Sequence, residues 1–330
     1  MRIRRIIPLI IAYSLIGCLL TGCGEKNGTS VPSSTEIVPE MPPAVSTAET
    51  SSDSAAPSGK RDNTPVCLVP EASGTATVSN DVAVIDFSHA DCGYIMAEYT
   101  GAVSKIKLRI TCPDGIQYTY DLHGNGYETF PPSSGDGEYE VTVYENISGT
   151  SYSTCLYTTI SVSLQDEFGP FLYPNQYVNF TAESKTVQKG AELARDAAAD
   201  LDVISAVYDY ITQSITYDYD KAASPPTGYT TDVDEILTSG TGICLDYAAV
   251  MAAMLRSQSI PTRLEVGYAK DAYHAWISVY TRETGWLNGI ISFDGKTWTL
   301  MDPTFGANSS ESALKKFIGD GSNYTLQKLY

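Results

Sequence analysis

The sequence predicts an α+β protein in which an all-β sandwich precedes a core of helices and antiparallel strands. Three observations predict it. Between Val66 and Leu164 apolar residues recur with period two and turn signals separate the runs, as in strands that bury one face. Past Asp202 the spacing becomes helical, and from Leu245 to Leu255 it is apolar nearly all round, which marks a buried helix. Beyond Arg263 the alternation returns in segments bounded by turns.

The chain opens Met1-Arg2-Ile3-Arg4-Arg5, runs apolar to Leu20 and then reads Leu20-Thr21-Gly22-Cys23. A basic start, a short apolar run and small residues before a cut describe a secretory signal over residues 1–22. The run is too short, and too broken by Pro8 and Gly17, for a stable spanning helix. Its ending resembles a bacterial lipobox, with a plain signal peptide cut nearby as the alternative. Used as a lipobox, it makes Cys23 the lipidated first residue of the mature chain. The protein is then anchored to the cell membrane on its extracytoplasmic side without crossing it. Removing residues 1–22 takes away three Arg and no acid, so the formal charge moves from −18 to −21. A surface that acidic repels phosphate backbones, and nucleic acid is excluded as an expected partner.

Residues 23–64 follow the lipidated Cys as a tether. From Gly24 to Thr64 there are thirteen Ser/Thr, five Pro and no aromatic residue, too little apolar surface to offset the entropy of ordering. As a flexible coil it reaches roughly 35 Å, with a ceiling of about 140 Å if stretched.

The sandwich is expected over residues 65–165. Ile106, Leu108, Ile110 and Cys112 share one face; Pro113-Asp114-Gly115 turns the chain; Ile116, Tyr118, Tyr120 and Leu122 share a face of the return strand. Further strands follow at Glu138 to Tyr144 and Cys155 to Leu164. About a hundred residues of short strands suit an immunoglobulin-like sandwich, read as a spacer that positions the core. Four of the chain's cysteines, Cys67, Cys92, Cys112 and Cys155, lie in this region, an even number in an exported chain. They are candidate disulfides with three pairings open, free thiols being the alternative. His89 and His123 lack metal-ligand spacing to one another and read as surface or loop residues.

Residues 166–182, with Pro170 and Pro174, form an ordered connector, and the core spans 183–330. A helix runs from about Ser184; another opens at Asp202 as its cap, with Ile204, Val207, Tyr208 and Ile211 on its inner stripe. Ser224 to Tyr229, holding Pro225-Pro226, is a loop, and a short helix covers about Asp234 to Leu237. Then Gly240-Thr241-Gly242-Ile243-Cys244-Leu245-Asp246-Tyr247-Ala248 carries a thiol onto the first turn of the buried helix. Unpaired N–H groups and the helix dipole favour a thiolate nucleophile there. Strand patterning at His274-Ala275-Trp276-Ile277-Ser278-Val279-Tyr280 starts with an imidazole. After Asp294-Gly295 a return strand is expected over Thr297 to Thr304, with Asp302 before Pro303. Two adjacent antiparallel strands would set His274 and Asp302 side by side.

Gly-x-Cys-x-Asp-Tyr-Ala before a helix, His-Ala-Trp on a strand and Trp-x-x-x-Asp-Pro-Thr on the next closely resemble the transglutaminase-like superfamily, over roughly Val187 to Phe305. The resemblance implies a papain-like core fold. It implies Cys244 as nucleophile, His274 as general base and acid, and Asp302 as the residue that orients the imidazole. It also implies acyl transfer through a thioester, with the Cys244 N–H as one oxyanion donor and a side-chain donor upstream. Tyr217 is the candidate for that second donor. Familiar members use an indole, and this chain has no Trp before Trp276.

The calcium sites of animal members cannot be traced here, so no metal or other cofactor is expected. Water as second nucleophile makes a peptidase or amidase acting on protein or cell-wall peptide, a monomer held at the envelope. A lysine amine makes a cross-linking transglutaminase. A non-catalytic module binding wall polymer or protein, with Trp276, Trp286 and Trp298 as a platform, is the alternative from another class.

Overall fold

The computed structural model of the protein describes residues 61–287, 292–293, 298–299, 304, 307 and 323–330. The secretory segment, Cys23, the tether up to residue 60 and Asp302 lie outside the described residues.

The period-two stretch folds into eight strands: β1 (Thr77–Ser79), β2 (Ala83–Asp86), β3 (Ile95–Tyr99), β4 (Ile106–Thr111), β5 (Gln117–Leu122), β6 (Glu128–Phe130), β7 (Gly137–Ser148) and β8 (Ser151–Val162). They form two four-stranded antiparallel sheets, ordered β1-β2-β3-β6 and β5-β4-β7-β8. The chain changes sheet after β3, β5 and β6, so that β6 returns to lie beside β3. That crossing pattern makes an immunoglobulin-like sandwich. Ile85, Ile95, Leu108, Ile110, Tyr139 and Val141 fill its interior. Ile116, grouped by its alternation with Tyr118, Tyr120 and Leu122, instead sits before β5 and is 39% exposed, because the Asp114 side chain takes its N–H to close the turn.

The core begins with α1 (Lys185–Ala194) and α2 (Asp200–Ser214), then β9 (Thr216–Tyr217), α3 (Tyr219–Ala223), α4 (Val233–Ser239) and β10 (Thr241–Gly242). Next comes α5 (Cys244–Arg256), whose residues from Asp246 to Arg256 are all buried. It packs against α1, α2 and α4 on one side and two strands on the other, β11 (Thr262–Ala269) and β12 (Ala272–Thr281). With β13 (Gly285–Leu287) and the final β16 (Tyr324–Leu329) these make an antiparallel sheet ordered β13-β12-β11-β16. This mixed α+β arrangement surrounds α5 with apolar surface, so α5 is the fixed element of the core.

Two expectations change. Asp202 does not cap α2 as its first residue; it lies one turn inside, and its carboxylate reaches back to the N–H groups of Ala198 and Ala199 at 2.8 and 3.0 Å. Residues 61–64 do not belong to a disordered tether: Arg61 donates to Asp200 at 2.7 Å and to the Gln258 carbonyl at 2.5 Å, and Asn63 to the Ala197 carbonyl at 3.0 Å. Their polar side chains, which read as tether composition, find acceptors on the core. Of the return strand expected after Asp294-Gly295, Trp298, Thr299 and Thr304 lie among the described residues. β15 (Trp298–Thr299) pairs with β14 (Ser292–Phe293) in a separate two-stranded sheet, and Thr304 is helical. Among the described residues β12 pairs with β11 over residues 272–279 and with β13 over residues 279–281, while Asp302 and the residues beside it lie outside them.

Candidate active site

Both glycines before Cys244 have geometric jobs. Gly240 ends α4 in the left-handed region at φ 63°, which favours glycine. Gly242 lies where a Cβ would stand 2.7 Å from Asp246 Cβ. Between them β10 pairs in parallel with β9, setting Gly242 opposite Tyr217. Ile243 is extended, at φ −100° and ψ 179°, and Cys244 follows as the first residue of α5. Backbone N–H groups in a first turn have no intrahelical acceptor and point at whatever occupies the space beyond the helix end.

Asp246, third in the helix, holds this end in place. Its side chain is fully buried and accepts four hydrogen bonds: from the Ile243 N–H at 2.9 Å, Lys221 Nζ at 2.9 Å, the Tyr229 hydroxyl at 2.6 Å and Thr231 Oγ1 at 2.7 Å. Lys221 also contacts the Tyr229 hydroxyl at 2.5 Å. Burial lowers the pKa of the Lys221 ammonium, but the hydrogen bonds with Tyr229 and Asp246 and the Asp246 charge outweigh it, and the net shift is upward. The Tyr229 phenol is pushed up to about 12 by burial and then by its bond to Asp246. The loop holding Pro225 and Pro226 is thereby tied to the helix that carries the thiol.

His274 stands near the start of β12, opposite Gly267 of β11, and is 7% exposed. Trp276, two residues on, stacks beside it with ring centroids 6.2 Å apart and packs edge-on against Tyr324. Gly267 is glycine because a Cβ there would meet the Thr325 carbonyl at 2.0 Å and the Trp276 ring at 3.0 Å. Trp276 is thus a packing residue, 4% exposed. Trp286 is half-buried, with Arg263 3.6 Å above its ring and Phe171 edge-on at 5.6 Å.

Cys244 and His274 line one cleft of about 440 Å³, and Tyr217 lines it too. The structure therefore gathers three of the expected residues, while Asp302 lies outside the described residues. Tyr177, Tyr229, Tyr273, Tyr330, Pro225 and Pro226 contribute the aromatic and apolar walls. The roles of Asp246, Lys221 and Tyr229 escaped the sequence reading. The one available signal was an acid inside an otherwise apolar helix.

The candidate disulfides are not formed: Cys67, Cys92, Cys112 and Cys155 are free thiols, as is Cys244. They sit on separate elements, Cys67 before β1, Cys92 in the β2–β3 turn, Cys112 just past β4 and Cys155 in β8. Burial pushes the Cys112 thiol up to about 11. His123 is the exposed residue expected, paired with Glu128 at 2.8 Å. His89 is the loop residue expected, in the turn after β2, with its Nε2 buried and its ring stacked on Tyr94.

Residues 188–303 match the sequence model of the Transglutaminase-like superfamily. No curated protein matches the chain by sequence. Among solved structures, a candidate cysteine protease from Cytophaga hutchinsonii is 14% identical, covering 78% of this chain and 74% of its own, at a TM-score of 0.36. A candidate protease from Parabacteroides distasonis is 15% identical, covering 59% of this chain and 37% of its own, at 0.28. A structure named only as a TGase is 17% identical, covering 53% and 47%, at 0.30. The chain thus spans less than half the length of the latter two, and scores this low carry no argument about fold or activity. The assignment rests on the match in sequence and the placement of its motif residues: residues 188–303 form a domain of the transglutaminase-like superfamily.

Proposed function

We propose that the protein is a cysteine-dependent hydrolase of amide bonds, held at the outer face of the cell membrane by lipid on Cys23. Its substrates are protein or cell-wall peptide. In this reading Cys244 attacks the carbonyl carbon, and the amine leaves with a proton from His274. Water then attacks the thioester with His274 as base, releasing the acid and restoring the thiol. Asp302 orients the imidazole, and the Cys244 N–H with the Tyr217 hydroxyl faces the oxyanion. The observation that carries it is the common cleft: a thiol on the first turn of a buried helix and an imidazole on the neighbouring sheet open onto the same space. Water is the second nucleophile in this reading, a lysine amine being the alternative that the ammonia-release assay below distinguishes. The burial of Trp276 and the Arg263 guanidinium lying over the Trp286 ring speak against a carbohydrate-binding platform.

Two measurements test the reading. Iodoacetamide should label Cys244 at neutral pH faster than Cys67, Cys92, Cys112 or Cys155, and His274→Ala should slow that labelling at least tenfold. With quenched peptides and wall fragments, turnover should vanish in Cys244→Ala. Glutamine- and amine-dependent ammonia release without cleavage would replace hydrolysis by cross-linking. Labelling of Cys244 no faster than the other thiols and indifferent to His274 would remove the catalytic reading altogether.

A further inference from the structure

The turn between β2 and β3 gathers three metal-ligating side chains outside the cleft. One donor atom each from His89, Asp91 and Cys92, a ring nitrogen, a carboxylate oxygen and Sγ, lie within 4.8 Å of one another, and all three residues are half-buried. None lines the cleft that holds Cys244. The order His89-Ala90-Asp91-Cys92 is wound onto one 3₁₀ turn, Ala90–Cys92, closed by Gly93 at φ 105°. A search for paired histidines misses it, because the second and third donors are a carboxylate and a thiol.

Two further observations point to a ligand. His89 Nε2 is buried with no hydrogen-bond partner, a costly state for a polar atom unless something else engages the ring. The Asp91 carboxylate is already oriented from behind: Gln165 Nε2 donates to its Oδ2 at 2.5 Å, and the Gln165 N–H donates to the Asp91 carbonyl at 2.8 Å. Outer partners of this kind commonly fix ligands around a metal. Ligands at zinc bond lengths in a tetrahedral set stand roughly 3.3–3.8 Å apart, so the observed spacing closes with shifts of under about 1 Å in each side chain.

We propose that His89, Asp91 and Cys92 bind one divalent transition-metal ion of the zinc class, with water as the fourth ligand. Mixed nitrogen, oxygen and thiolate donors suit zinc and its neighbours and are poor for magnesium or calcium. The position suggests what the ion does. A Cβ on Gly169 would stand 2.1 Å from the Cys92 carbonyl, and one on Gly93 2.4 Å from Pro170 N, so this turn and the connector are in backbone contact. All three ligands belong to the sandwich, so a metal here would stiffen the turn against which the connector packs.

The test uses the full chain carrying Cys244→Ala, so that the cleft thiol cannot contribute, stripped of metal and titrated with Co²⁺. One equivalent should bind with thiolate-to-cobalt charge-transfer absorption, which Zn²⁺ should then displace. Cys92→Ser and His89→Gln should each abolish the band, and Gln165→Ala should weaken Zn²⁺ binding by about 10–100-fold. Failure to bind one equivalent, or a band that survives in Cys92→Ser, would overturn the proposal. Because the first titration needs no change within the site, misfolding of a site variant cannot hide the answer.

Discussion

Deleting the Asp246 carboxylate would strand Lys221, Tyr229 and Thr231 together, since all three donate to it inside the protein. Asp246 is fully buried, but Lys221 is 23% exposed and keeps its bond to the Tyr229 hydroxyl, so the loss is that of an acceptor for donors held at its site, about 1–3 kcal/mol. Asp246→Ala is therefore expected to lower the unfolding free energy measured by urea denaturation by an amount in that range. Asp246→Asn, which keeps an accepting oxygen, should lose less. Both should slow labelling of Cys244, because the same carboxylate fixes the Ile243 N–H just before the thiol. Stability lost with labelling unchanged would reduce Asp246 to a packing residue. Cys244 and His274 were legible in the sequence because each sits in a local pattern, a glycine-punctuated helix start and a strand start. Asp246 was not, because its partners lie 15 to 25 residues upstream in a loop whose course only the fold determines.

At the scale of elements, α5 owes its rigidity to how closely its neighbours approach it. A Cβ on Gly190 of α1 would stand 3.3 Å from Met254 Cα, Cβ and carbonyl oxygen, so the two helices meet at this glycine. Alanine there regains helix propensity of up to ~1 kcal/mol and needs only a slight shift, so its net effect should be small. Gly190→Val adds branching with nowhere to go and should destabilise by about 1–3 kcal/mol. A Val variant as stable as the wild type would show that α1 can slide on α5. The apolar run after Cys244 announced this helix because burial on all sides leaves no polar face to disguise it. Of the segment after Asp294-Gly295, Trp298–Thr299 is strand and most of the rest lies outside the described residues. β16 escaped notice, since its pairing with β11 depends on contacts across more than fifty residues.

Across the whole molecule, tyrosines join sandwich to core. Tyr118 and Tyr120 of β5 meet Tyr330 edge-on at 5.5 and 6.0 Å, and Tyr177 of the connector lies 4.1 Å from the Tyr330 ring. The Tyr118 hydroxyl accepts the Leu329 N–H at 3.0 Å, and Ser133 donates to the Leu329 carbonyl at 2.8 Å. The sandwich thus braces the strand that leads into Tyr330 on the cleft wall, a closer association than a spacer requires. Burial raises these phenols. Tyr118 is pushed up to about 12, as is Tyr99, where the bond to Glu145 adds to burial; Tyr120, Tyr139 and Tyr330 move higher still. An unfolded tyrosine ionises near pH 10. Between about pH 10 and 12 the unfolded chain has therefore lost protons that the folded chain keeps. With fewer protons bound in the unfolded state, stability falls as pH rises, by up to about 1.4 kcal/mol per pH unit for each such group. Five such groups remove up to about 7 kcal/mol by pH 11 and about 14 by pH 12, within the ~5–15 kcal/mol that holds a typical domain. The expected result is a two-phase titration of tyrosinate absorbance: a first phase near pH 10 with circular dichroism intact, then a steep one at about pH 11–12 that coincides with loss of the fold. Tyr118→Phe removes one titrating group but also the acceptor for the Leu329 N–H, so it should lower stability at pH 7 while flattening the fall above pH 10. A single smooth phase near pH 10 with the fold intact would mean that these rings are open to solvent and that the sandwich is not seated on the core.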